Sequence, residues 1–65
     1  MVTANIRAEL ARKNMDIQEL AMRVGVTNAT MSRWLNGHSV PTIDQAIAIA
    51  HELNCSLDYL FVESD

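Results

Sequence analysis

Four times in this chain a residue suited to left-handed backbone is followed within a few positions by a residue suited to start a helix. Asn14 precedes Asp16, Gly25 precedes Thr27, Asn36-Gly37 precedes Thr42, and Asn54 precedes Ser56. Asn and Gly adopt positive φ at low cost and so close helices. Asp, Thr and Ser accept a hydrogen bond from the first-turn N–H groups and so open them. This punctuation leaves room for short helices and little else. With 65 residues, the chain allows one domain, taken as 1–65, with a small core and marginal stability.

The apolar spacing agrees. The first helix is predicted from Thr3 or Asn5 to Lys13, with Ile6 and Leu10 on one face and Arg12 and Lys13 in the last turn, where cations suit the helix dipole. The second starts at Asp16. Glu19 stands three residues on, a capping-box spacing, and Leu20, Ala21 and Val24 form the apolar stripe. The third is capped by Thr27, and Val26, Thr30, Met31, Trp34 and Leu35 share a face. The fourth is capped by Thr42 with Gln45 completing a box. Ile43, Ala46, Ile47, Ala50 and Leu53 give its stripe, widened by Ile49. A short fifth helix follows Ser56, with Leu57, Leu60 and Phe61 apolar. The fold class expected is all-α, a compact five-helix domain with tight connections. Two glycines, one proline and few aromatics favour it over a strand-rich fold.

The formal charge of −3 conceals an asymmetry. All five basic residues (Arg7, Arg12, Lys13, Arg23, Arg33) lie in the first 33 positions against three acids, a net of +2. From Pro41 onward there are five acids and no base. A polyanionic partner would therefore meet the first half. A single cysteine, Cys55, rules out an internal disulfide and suits a reducing compartment. No apolar run approaches a membrane span and no signal-peptide pattern is visible, so the chain reads as cytoplasmic.

The stretch "ELAMRVGVTNATMSRWLNG" resembles the helix-turn-helix of the lambda repressor-like, Cro/C1 (Xre) family. Leu20-Ala21, Gly25-Val26-Thr27 and Gly37 carry the likeness. "VPTIDQAIAIAHELNCSLDYLF" continues it through the family's capped apolar helix and its final Ser-Leu-Asp-x-Leu helix, so the resemblance runs from about Ile6 to Phe61. The chain departs from the family pattern at Ile17, where a phosphate-contacting glutamine is common and Gln18 comes next. It departs at Asn54, where glycine is common. Leu10 and Leu35 stand where many members carry an arginine and a glutamate, and the paired change implies that an apolar contact between them replaces an ion pair.

The resemblance implies a DNA-binding transcriptional regulator, in the first instance a repressor, whose third helix enters the major groove. The face of that helix opposite its apolar stripe holds Asn28, Ala29, Ser32, Arg33 and Asn36. Of these, Asn28, Ala29, Ser32 and Arg33 are the candidate base readers. Asparagine pairs bidentately with adenine, arginine with guanine, serine with several bases, and the alanine methyl packs on a thymine methyl. The ordinary alternative is a solvated back, but in an acidic protein that face would carry lysine and glutamate, whereas this one has a single charge. Gln18, Thr27, Asn36, His38 and Ser39 are the candidate phosphate contacts, with Arg7 and Arg23 as further cations.

A homodimer on a near-palindromic operator is expected, with Leu57, Tyr59, Phe61 and Val62 as its interface. The competing reading is a helix-turn-helix interaction module, such as an antitoxin or adaptor, with weak DNA binding or none. No cofactor, metal or small-molecule ligand is implied. His51 and Cys55 lie four apart, but a structural zinc site wants four ligands. The sequence shows no nucleophile–base pair, phosphate-cradling glycine loop or paired carboxylates, so no enzyme is expected.

Overall fold

The computed structural model describes residues 3–62. The chain forms α1 (Ala4–Arg12), α2 (Ile17–Val24), α3 (Asn28–Leu35), α4 (Ile43–Leu53) and α5 (Leu57–Leu60), with no strand among the described residues.

The first four helices close in the same way. Asn14, Gly25, Gly37 and Asn54 have φ of 54°, 88°, 77° and 55°. In each case the next residue's N–H reaches back five positions: Met15 to Leu10 O, Val26 to Ala21 O, His38 to Arg33 O and Cys55 to Ala50 O, at 2.9–3.0 Å. This closure satisfies carbonyls that a helix end would leave bare, and it turns the chain sharply. The next helix can then start almost at once. Asp16, Thr27, Thr42 and Ser56 each accept a hydrogen bond from the backbone N–H three residues on.

The caps differ in completeness. At Thr42 both halves of the capping box form, since Gln45 Oε1 accepts from the Thr42 N–H at 2.8 Å. At Asp16 only one half forms. The Glu19 carboxylate turns away from the cap and instead pairs with Arg23 at 2.9 Å, a corrected reading of the "DIQE" spacing. Arg23 also reaches Glu52 on α4 at 3.5 Å, so this side chain ties α2 to α4.

One hydrophobic cluster gathers Ile6, Leu10, Leu20, Ala21, Met31, Trp34, Leu35, Ile49, Ala50, Leu53 and Leu60, with Val24, Val26, Cys55, Leu57 and Phe61 packed on it. Leu10 and Leu35 are both in this cluster, where the family ion pair would have had to be desolvated. Each fully buried Leu, Ile or Met contributes about 1.5–3 kcal/mol relative to exposure. Met31 and Trp34 therefore hold α3 against the domain by the side opposite Asn28, Ala29 and Arg33, which are exposed.

Helix α4 departs from expectation. Its buried stripe is Ala46, Ile49, Ala50 and Leu53, whereas Ile43 and Ile47 are 67% and 50% exposed. Two overlapping apolar stripes run along this helix. The one joined to α2 through the Arg23–Glu52 side is buried, and the other is left in solvent beside the exposed Val40.

Two polar anchors join α1 to the rest. Thr3 Oγ1 donates to the Leu35 carbonyl at 3.0 Å, closing the end of α3 onto the start of α1. Glu9 is 3% exposed yet fully partnered: Lys13 Nζ donates to it at 2.8 Å, Tyr59 Oη donates at 3.0 Å, and Arg12 lies at 3.4 Å. Asn5 Nδ2 donates to the Tyr59 carbonyl at 2.8 Å, so α5 is held on α1 by two bonds to one residue.

Candidate nucleic-acid interface

Helices α2 and α3 meet across the turn Gly25-Val26-Thr27. Thr27 takes up a fixed role there. Its hydroxyl accepts from the Thr30 N–H at 3.1 Å and donates to Thr30 Oγ1 at 2.9 Å, so its hydrogen-bonding capacity is largely spent inside the helix. What the α3 N-terminus offers outward is the backbone. The N–H groups of Asn28 and Ala29 precede the first intrahelical bond and point along the positive end of the helix dipole.

The exposed side of α3 carries Asn28, Ala29 and Arg33 in solvent, with Ser32 half-buried and Asn36 exposed at its end. Among the described residues, none of the ion pairs involves Arg33. Its guanidinium is the one charge on a face of short side chains. That combination lets another surface come close and gives it a planar donor.

A shallow depression runs beside this face. It is lined by Arg7, Leu10, Ala11, Met15, Asp16, Ile17, Gln18 and Asn28. The tertiary fold thus brings Arg7 from α1 and Gln18 from the start of α2 onto one surface with the start of α3. Asp16 supplies a negative charge at the same place, and its Oδ1 is engaged by the Glu19 N–H. The Ile17 side chain is half-buried against the core, so the position of the family glutamine serves packing here. Gln18 stays exposed.

The remaining candidates fall into separate groups. His38 is exposed and Ser39 half-buried in the loop after α3, and the His38 N–H is committed to the Arg33 carbonyl. Both ends of the Asn36 amide are engaged within the protein: Arg7 Nη2 donates to Oδ1 at 2.9 Å, and Nδ2 donates to Ser32 Oγ at 3.3 Å. Arg23 is held by Glu19 and Glu52, and these carboxylates push its pKa up from its usual value, so it is engaged within the protein rather than free for a phosphate. The link from Arg7 to Asn36 had no signal in the sequence, because 29 residues separate them.

The residues assigned to a dimer interface lie around α5. Leu57 and Phe61 are half-buried on the core, Tyr59 uses its hydroxyl on Glu9, and Val62 is exposed. Next to Leu57 and Phe61 a second depression of about 380 Å³ is lined by Val40, Pro41, Ile43, Ala46 and Asp58. Helical spacing puts Ile43 and Ile47 in the apolar stripe of α4, but both lie at the surface, as does Val40 in the loop before it.

A helix-turn-helix family model matches residues 6–60, nearly the whole of the described chain. The chain belongs to the lambda repressor-like, Cro/C1-type helix-turn-helix family. It is accordingly a DNA-binding helix-turn-helix regulator, of a family whose domains bind DNA rather than catalyse reactions. No curated protein and no solved structure matches the chain significantly. No helix among the described residues is long and apolar enough to cross a membrane.

Proposed function

We propose that this helix-turn-helix protein is a sequence-specific repressor of the Cro/Xre kind, which sets α3 into the major groove and acts as a homodimer on a near-palindromic operator. The observation that carries the reading is the outward face of α3, whose single charge, Arg33, has no carboxylate partner among the described residues. Asn28, Ala29, Ser32 and Arg33 read base edges. Arg7, Gln18 and the free N–H groups at the start of α3 meet phosphates on one side, with His38 and Ser39 on the other.

The dimer face proposed extends the α5 group. It joins Leu57, Phe61 and Val62 to the exposed Val40, Ile43 and Ile47, and its occupant is a second copy of the same surface. Tyr59 borders it while staying anchored to Glu9. Repression then follows from occupancy, a bound dimer excluding other proteins from the operator.

Selection of bound duplexes from random DNA, followed by a salt titration, tests this reading. A pseudo-palindrome should emerge. About 6–8 phosphate contacts per dimer give a log–log salt slope of about −5 to −7. A flat salt response with no recovered sequence would instead point to an interaction module, and the repressor reading would fall.

A further inference from the structure

The hydrogen bonds around Asn36 set the chemistry of a base-reading residue two elements away from their source. Arg7 on α1 donates through Nη2 to Asn36 Oδ1 at 2.9 Å. That bond fixes which end of the amide faces which way, because the guanidinium can only donate. The Nδ2 end is thereby turned to Ser32 Oγ, to which it donates at 3.3 Å. Ser32 is half-buried on the exposed side of α3, one turn before Asn36 and next to Arg33. A serine hydroxyl has one proton and two lone pairs. Asn36 takes one lone pair, and no acceptor for the proton is found among the described residues, so the hydroxyl offers outward its proton and one remaining lone pair.

We infer that Arg7 is a positioning residue for sequence readout: through Asn36 it fills one of the two acceptor sites of Ser32 and biases the hydroxyl towards donating, which favours bases presenting an acceptor in the major groove. This rests on the proposed base-reading role of α3. Guanine N7 and O6, adenine N7 and thymine O4 are such acceptors. The exocyclic amines of adenine and cytosine are donors and find only the one lone pair that Asn36 leaves, so they are disfavoured. Without the relay both lone pairs are free, and Ser32 meets a donor edge as readily as an acceptor edge. The contribution of Arg7 is then to specificity at one base-pair position, in addition to any charge it offers to the backbone. Its other N–H groups have no acceptor among the described residues and remain available for a phosphate.

The test compares sequences selected from random duplexes by the wild type and by Arg7→Ala, Asn36→Ala, Ser32→Ala and Arg7→Lys. Unchanged helical content and melting temperature establish that each variant is folded. Ser32→Ala identifies the base-pair position that Ser32 reads, by the loss of a preference of about fivefold, the worth of one neutral hydrogen bond. Arg7→Ala and Asn36→Ala are expected to flatten that same position to below about twofold while leaving the Arg33-dependent position intact. Arg7→Lys keeps one donor for Asn36 and restores the preference.

If Arg7→Ala weakens all sequences alike and only lowers the salt slope by about 1, Arg7 contacts phosphate alone and the relay is overturned. A wild type that selects no sequence at all overturns the base-reading function, and with it any reading role for Arg7. The relay geometry is then judged separately without DNA. The Asn36 side-chain amide resonances should move in both Arg7→Ala and Ser32→Ala, and resonances that stay in place would show that the relay does not form.

Discussion

Glu9 shows how one residue can be both a liability and an anchor. A carboxylate with almost no solvent would ordinarily shed its charge. Here the hydrogen bond from Lys13, then that from Tyr59, outweigh burial, and Arg12 and Lys13 add their charges. The pKa is held below the ordinary value of 4.5. Because the folded pKa is the lower one, the carboxylate's contribution to stability is present in full above about pH 4.5 and is lost as the pH falls through the folded value. The wild type should therefore lose melting temperature between pH 5 and pH 3 more steeply than Glu9→Gln. Parallel curves for the two proteins over that range would show that Glu9 carries no such linkage. The same carboxylate pushes the Tyr59 phenol up, first through their hydrogen bond, and burial pushes the Cys55 thiol up, so neither is a reactive group at neutral pH.

Arg33 belongs to the same scale. A bidentate arginine–guanine contact supplies roughly 1–3 kcal/mol of discrimination. Arg33→Ala is expected to lose preference at one position per half-site, and competition between matched and single-substituted duplexes measures it. Equal weakening on every duplex would place Arg33 on phosphate instead. Both faces of α3 were legible in the sequence, since helical spacing alone separates Met31, Trp34 and Leu35 from Asn28, Ala29, Ser32 and Arg33. The Arg7–Asn36–Ser32 chain was not, because its first bond joins residues 29 apart and depends on how α1 lies on α3. Glu9 was illegible for the same reason. One of its hydrogen-bond partners, Tyr59, stands 50 positions away.

At the scale of the elements, caps and register behave differently. A cap involves residues three apart, so Asp16, Thr27, Thr42 and Ser56 could be placed from spacing, and the structure has each accepting the expected N–H. The rotation of a helix about its own axis is settled by its neighbours. In α4 the run Ile43 to Ala50 offers more apolar positions than one face can bury, and packing against α2 chose Ala46, Ile49, Ala50 and Leu53. The Thr42 box, complete on both sides, gives a measurable consequence. Thr42→Ala removes an acceptor for the Gln45 N–H and should cost about 1 kcal/mol. In a domain this small that lowers the melting temperature by about 4–8 °C. Thermal unfolding by circular dichroism reads it, and a shift below about 2 °C would mean that solvent satisfies the freed N–H as well as threonine does.

For the whole molecule, the question is how a −3 chain holds a polyanion. The acids after Pro41 are borne by α4, α5 and the chain beyond, while Arg7, Gln18 and α3 share a surface built from the earlier half. Few phosphate contacts per copy make pairing the economical route to affinity. The described domain measures 30 Å along its longest axis, and half-sites one helical turn apart lie about 34–36 Å from centre to centre, so contact between two copies requires their long axes to lie along the operator. Val40, Ile43 and Ile47 are the surface proposed for that contact, because they are apolar and at least half exposed. Replacing Ile43 and Ile47 together by serine removes apolar area from the proposed dimer face while leaving the core cluster untouched. The double variant is expected to melt within a few degrees of wild type at low concentration, to sediment as a monomer where wild type is a dimer, and to lose at least about tenfold in affinity for a two-half-site duplex. Its affinity for a single half-site should be unchanged. A double variant that still sediments as a dimer would move the interface elsewhere. A wild type that is monomeric both free and on the two-half-site duplex would end the dimer reading and leave α3 to act from one copy.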